Sequence, residues 1–391
     1  MQEEQAKSHI LPTIVLSQFL CTSLWFAGNA ILPELKKTFD GDIGFLANLT
    51  SAVQFGFICG TLVFAVLTIA DRFSPSRVFF VSSVLAAAFN LGISLEDISP
   101  ATLVVFRSLT GFFLAGIYPV GMKIASDYYQ KGLGKSLGFL VAALVLGTAF
   151  PHLLRSIGLR FPWQYVVFAT STLSVLGGLA MLLLVPNGPF RKAGPRLDVT
   201  AFLAAFRYKN FRTVAFGYFG HMWELYTFWA FVPVILANYS PVGLNVPLYS
   251  FLIIASGGLA CVFSGLLSQY FGAKRIATIA LFLSGLCCLV SPWFLLTAST
   301  PLLLTFLFFW GLVVIADSPL FSSLVAQHAP EESRGTSLTI VTCIGFSITI
   351  ISIQLISVWS AYFGNYVFMF LATGPVLGLI ALRRDNELPR Q

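Results

Sequence analysis

Apolar runs of about twenty residues follow one another from end to end of this chain, and they fix the solvent in which it folds. A helix rises about 1.5 Å per residue, so each run can cross the roughly 30 Å hydrocarbon layer of a bilayer. Twelve such runs can be placed, at approximately 10–33, 43–69, 77–95, 101–126, 136–156, 163–185, 211–237, 246–270, 276–297, 301–326, 336–359 and 362–382. Gly and Pro stand inside many of them, and the alternation over about ten residues expected of barrel strands is missing. Only 10 % of the residues are charged, against about 25 % in soluble domains, and 57 % are hydrophobic. The expected fold is an all-α membrane protein with twelve transmembrane helices.

Orientation follows from Lys and Arg. With the N-terminus inside, the outer loops hold only Lys36, Lys37, Arg155 and Arg160, and the remaining loop cations fall inside. That bias places both termini in the cytoplasm. The opening MQEEQAKSHI is polar and acidic and does not read as a secretory signal. A multi-pass protein of a bacterial inner (plasma) membrane, acting as a monomer among membrane lipids, is expected. The net charge of +7 is then a matter of topology, and no nucleic acid is implied. Cys21, Cys59, Cys261, Cys287, Cys288 and Cys343 all fall within spans and show no metal-ligand spacing. No metal and no cofactor are expected.

The polar, basic stretch PNGPFRKAGPRLDVTAFLAAFRYKN divides the chain. Val199, Phe202, Leu203 and Phe206 share one helical face, flanked by Arg207 and Lys209, as in an amphipathic helix lying on a membrane surface. Residues 1–185 are expected to form one six-helix bundle, 186–210 a cytoplasmic linker and 211–391 a second bundle. The halves match at an offset of about 200 residues, a parallel repeat of the kind that places a solute site between two bundles. Phe19, Ala30 and Pro33 match Phe219, Ala230 and Pro233; Pro119 matches Pro319; Ser136-Leu137 matches Ser337-Leu338.

Three ionisable residues lie within spans: Arg107, Glu224 and Asp317. Each costs about 2.5–3.5 kcal/mol at a helix centre on insertion scales, so such groups usually mark a solute or proton path. Each also has a plainer reading. Arg107 can snorkel to headgroups. Glu224 can bond Tyr or Trp groups between helices. Asp317 can cap the break left by Pro319. His221 stands three residues before Glu224 and shares its face, a spacing that needs a second copy to hold a metal. Asn48, Gln54, Asn90, His152 and Gln354 are read first as hydrogen-bonding contacts between helices. Gly132-Leu133-Gly134-Lys135-Ser136 ends like a phosphate-binding loop, but Tyr129 stands where its leading Gly is required.

The loop after the second span reads Ala70-Asp71-Arg72-Phe73-Ser74-Pro75-Ser76-Arg77, and the fourth span carries Arg107, Gly111 and Ala115 at fourfold spacing before ending at Asp127. Together these resemble the loop signature and fourth-span motif of the major facilitator superfamily, although Leu67 replaces the first Gly and Ser-Pro-Ser spaces out Arg77. The resemblance implies that spans 1, 4, 7 and 10 line a central cavity. Arg107, Glu224 and Asp317 would occupy three of these, and Asn29 with Trp25 the fourth. Trp25, Tyr118, Tyr226 and Trp229 would shape the pocket, beside His221. Asp71, Arg72, Arg77, Asp127 and Arg334 would form a cytoplasmic gate, with Asp71 near Arg334 and Asp127 paired to Arg77; solvated topological charge is the simpler alternative for that loop.

The function so implied is secondary active transport, not catalysis. A small polar organic solute, anionic or zwitterionic, would bind at Arg107 and move by alternating access in symport with protons through Glu224 and Asp317. A multidrug or metabolite efflux antiporter and a lipid flippase remain alternatives. A nitrate porter is disfavoured because spans 2 and 8 lack a central Arg, and an enzyme because no catalytic set is present.

Overall fold

The structure is a computed structural model, and it describes residues 8–39, 43–129, 133–191, 203–239, 243–331 and 334–383. Among these, every regular element is helical. In chain order they are α1 (Ile10–Thr22), α2 (Ala27–Ala30), α3 (Leu32–Phe39), α4 (Ile43–Val66), α5 (Ile69–Arg72) and α6 (Pro75–Leu91). Next come, after a 3-10 segment Gly92–Ser94, α7 (Pro100–Leu114), α8 (Tyr118–Tyr128), α9 (Leu133–Ile157), α10 (Gln164–Leu184) and α11 (Lys209–Tyr239). The remainder are α12 (Val246–Phe271), α13 (Ala273–Thr297), α14 (Thr300–Val313), α15 (Ser318–His328), α16 (Arg334–Phe363) and, after a 3-10 segment Gly364–Ala372, α17 (Thr373–Arg383).

Nine stretches among the described residues are long and apolar enough to cross a membrane. One of them, Arg334–Arg383, runs for 50 residues and contains two of the expected spans. The first expected span is broken at residues 23–26, so its longest piece, Ile10–Thr22, has only 13 residues. Half of the amphipathic face expected in the linker, Val199 and Phe202, lies outside the described residues, while Leu203 is described and exposed. Its end is described: Phe206 packs edge-on against Phe211 at 5.3 Å and Phe216 at 6.3 Å.

Local chemistry sets the helix ends. Ser99 accepts a hydrogen bond from the Thr102 N–H at 3.1 Å and Pro100 follows it, which starts α7; Asn245 does the same for the Leu248 N–H ahead of α12. Small residues then let helices approach. A Cβ on Gly56 of α4 would fall 1.8 Å from the Ser108 carbonyl oxygen, and one on Gly111 of α7 would fall 2.1 Å from that of Val53. The Gly111–Ala115 stripe is thus the seam of α7 against α4, where Gly60 also meets Ala115.

The expected spans 4 and 10 are both interrupted, at residues 115–117 and 314–317. In each, Pro is the second residue of the following helix: Pro119 in α8 and Pro319 in α15. Pro has no N–H and crowds the carbonyl four residues back. For Pro319 that is Ile315, whose oxygen accepts instead from the Ser318 N–H at 3.0 Å and from Cys261 Sγ at 3.6 Å. The paired breaks fall where the internal repeat predicts.

Contacts between the two repeats run along α4–α16 and α9–α12. On the side away from the Asp71 loop, Gln354 Nε2 donates to Asn48 Oδ1 at 3.2 Å and Ser51 Oγ at 3.1 Å, and Asn245 Nδ2 donates to Ser156 Oγ at 2.9 Å.

Candidate functional site

Each repeat buries one polar node among its own helices. In the second, Glu224 of α11 is 1 % exposed, and its Oε1 accepts from the Trp310 indole N–H of α14 at 2.6 Å. One turn earlier on α11, His221 Nδ1 lies 2.7 Å from Asp317 Oδ1, with both side chains 1 % exposed. Asp317 sits at the break before α15, yet its carboxylate makes no hydrogen bond to the start of that helix. It is turned to His221, so the helix-cap reading of this residue does not hold.

In the first repeat, Arg107 of α7 is fully buried, which excludes snorkelling. Its guanidinium donates to the Leu24 carbonyl at 3.1 Å, the Trp25 carbonyl at 2.5 Å and Asn90 Oδ1 at 3.3 Å. Asn90 is itself oriented by Thr170 and Ser171 of α10, at 3.2 and 2.9 Å. The two carbonyls belong to the break after α1. No Pro causes that break: a side chain from a neighbouring helix inserts into the backbone ladder and takes its acceptors. A Cβ on Gly28 would lie 3.3 Å from Arg107 Nε, so the small residue makes room for the guanidinium. No carboxylate pairs with Arg107 among the described residues.

The repeat relates the two nodes. At the common offset Glu224 corresponds to Leu24, the residue whose carbonyl Arg107 holds. One bundle therefore carries a buried cation and the other buried acids, each held by its own helices. The three charges do not face one another as ion pairs.

Between the nodes lies a layer of rings from both repeats. Trp25 stacks near Tyr226 with centroids 6.0 Å apart and near Phe346 at 5.7 Å; Phe57 meets Phe346 at 4.6 Å; Phe26 meets Trp229 at 6.4 Å. The structure thus brings Trp25, Tyr226 and Trp229 together. Asn29, by contrast, donates to Thr50 Oγ1 of α4 at 2.8 Å and joins helices of the same repeat. Tyr118 is half-buried beside the break in the fourth span.

The charged loop is wired differently from expectation. Asp71 Oδ1 lies 2.9 Å from Lys123 Nζ of α8, and Asp127 lies 3.9 Å from the same ammonium. Arg77 and Arg334 are exposed and pair with neither acid among the described residues. Arg72 Nε donates to its own helix at Thr68 Oγ1, 3.1 Å, while Arg191 donates to the Asp71 and Phe73 carbonyls at 2.9 and 2.8 Å. The physical reason is reach: Lys123 and Asp127 are one turn apart on α8, and that face abuts the Asp71 loop.

Sequence reasoning missed Trp310, Lys123 and the rings Phe26, Phe57 and Phe346. Two of these had a signal. Trp310 stands seven residues before Asp317 in the same expected span, and Lys123 four before Asp127.

Comparison with known proteins bears on the family and the fold. The family model described as Major Facilitator Superfamily matches residues 14–353. The fold is similar to that of the human organic anion transporter MFSD10 (TETRAN), with a TM-score of 0.77 and 15 % identity, covering 96 % of this chain and 99 % of that one. It is also similar to a bacterial homolog of the human lysosomal transporter Spinster in an inward-facing, unoccupied conformation, with a TM-score of 0.69 and 16 % identity over 96 % of this chain and 95 % of that one. A comparison with curated proteins returns no match.

Proposed function

The chain belongs to the major facilitator superfamily of membrane transporters, and from that premise we propose that it moves a small organic anion or zwitterion by alternating access, coupled to protons. The observation that carries the coupling is the buried acidic node: His221 against Asp317 at a helix break, with Glu224 one turn along α11. Unpaired charge at such depth costs several kcal/mol, roughly 2.5–3.5 kcal/mol per group on insertion scales, so protons that come and go with the conformational cycle are the economical use of these residues. Arg107 supplies the opposite sign in the facing bundle. Its potential favours an anionic solute, while its fork is committed to Leu24 and Trp25. MFSD10, whose fold this chain shares, is an organic anion transporter, which supports the same solute class.

In this reading residues 1–185 and 211–391 rock as two bundles joined by the linker 186–210, with both termini cytoplasmic. The Asn48–Gln354 and Ser156–Asn245 contacts close the outer side. The Asp71–Lys123–Asp127 group lies at the cytoplasmic side, where it stiffens one bundle.

The test uses proteoliposomes under an imposed pH gradient, with a solute found by thermal-shift screening. Glu224→Gln can still accept from the Trp310 indole and should fold. Glu224→Gln and Asp317→Asn are each expected to abolish uphill accumulation, and at least one is expected to keep solute–solute exchange. Wild-type accumulation in both variants would remove proton coupling from the proposal.

A further inference from the structure

We infer that the ring layer between the two repeats is a binding site for a planar aromatic carboxylate, its ring stacked among the layer's rings and its carboxylate held by the indole N–H groups of Trp25 and Trp229. The inference rests on the transport reading and narrows its solute class.

Three polar groups at the layer have no hydrogen-bond partner among the described residues: Trp25 Nε1, Trp229 Nε1 and the Gln54 side-chain amide. All three side chains are 1 % exposed or less. A buried donor left unmade is costly, so such groups are normally paired in a native protein. Trp25 and Trp229 come from different repeats, and both pack on Tyr226, at 6.0 and 5.3 Å. Gln54 lies on α4 three residues before Phe57, on the face that carries the layer. Two unpaired N–H donors beside one shared ring, Tyr226, suit an acceptor with two oxygens. An amide beside them can donate to that acceptor as well.

Charge decides between an anion and a neutral acceptor. Arg107 grips the Trp25 carbonyl, so a full positive charge stands one peptide behind the indole. Glu224 precedes Tyr226 by two residues, which turns it about 200° around α11 and away from the layer. Its carboxylate faces Trp310. An anion in the layer would thus meet the cation's field more directly than the acid's. Shape decides between aromatic and aliphatic. Tilted and edge-to-face ring pairs at 4.6–6.4 Å are contacts that an incoming ring can replace in kind. The rings are shut on one another here, at 0–3 % exposure, so the solute would enter as the bundles part.

The test is equilibrium binding of radiolabelled benzoate and indole-3-acetate to the full chain in nanodiscs. Both are expected to bind saturably. Cyclohexanecarboxylate, with the same charge and no π-face, should compete at least tenfold more weakly, as should benzyl alcohol, with the ring and no anion. Trp25→Phe and Trp229→Phe keep a ring and remove the N–H; each should weaken binding about tenfold with little change in melting temperature. Gln54→Leu should weaken it less. No saturable binding of either aryl acid, equal competition by cyclohexanecarboxylate, or unchanged affinity in both Trp variants would each overturn the inference. If wild-type proteoliposomes still accumulate a non-aromatic solute on a pH gradient, the transport reading survives alone. If the aryl acids bind as described but no gradient drives them, the site stands and the coupling falls.

Discussion

At the scale of single residues, Arg107 has two separable duties. It satisfies carbonyls that the break after α1 leaves open, and it places positive charge in the buried interior of the first bundle. Arg107→Lys keeps the charge but loses the planar fork, which cannot then reach two carbonyls and Asn90 together. The expected result is a loss of about 1–3 kcal/mol in stability, the cost of stranding a buried acceptor. Arg107→Met should lose at least as much and should also weaken binding of an anionic solute. Thermal unfolding in detergent, with and without the solute, separates these effects. If Arg107→Met unfolds like wild type, the guanidinium is not what holds the break.

The helices themselves are set by close approach as much as by hydropathy. Gly111 has no room for a side chain because the Val53 carbonyl occupies the place its Cβ would take. Gly111→Val should therefore push α7 off α4 and destabilise the protein by about 1–3 kcal/mol, as overpacking does. Gly265, on α12, has open space around it. Gly265→Ala should be neutral or stabilising by up to about 1 kcal/mol through helix propensity. Melting temperatures of the two variants give the comparison, and equal losses would mean that the α4–α7 seam is not the constraint. A comparable seam lies in α11, where a Cβ on Gly220 would fall 2.4 Å from the Gly374 carbonyl oxygen of α17.

At the scale of the whole molecule, the proposed alternating access would require the α4–α16 contact to open and close. Asn48→Cys with Gln354→Cys joins the two repeats across the hydrogen-bonded pair of Asn48 and Gln354. Oxidation of that pair should stop transport, and reduction should restore it. Unaltered transport after complete cross-linking would contradict rocking about the ring layer. The Asp71–Lys123 pair joins elements of one repeat and is about one-fifth exposed, so Asp71→Asn should cost less than about 1 kcal/mol of stability. Any larger effect would have to come from accessibility, read by labelling single cysteines on the two faces. Reporter fusions after Pro186 and after Arg384 should both read cytoplasmic; an external reading at either site would invert the assignment of sides.

Hydropathy alone determined that this chain lives in lipid as helices, because no other solvent tolerates so much apolar surface and no other element satisfies its backbone there. The repeat was legible too, since Pro119 and Pro319 act through the local rule that Pro frees a carbonyl four residues back, and both breaks appear. The identity of the buried charges was equally plain from their place in apolar runs. What each charge touches was not. The break after α1 has no Pro to announce it and arises because Arg107, more than eighty residues later, reaches into its carbonyls. Trp310 holding Glu224, Lys123 taking Asp71 and rings of two repeats meeting across α4 and α16 are likewise contacts between distant helices. Periodicity tells which face of a helix is polar, but the neighbour that face meets is chosen by packing, and only the tertiary structure decides it.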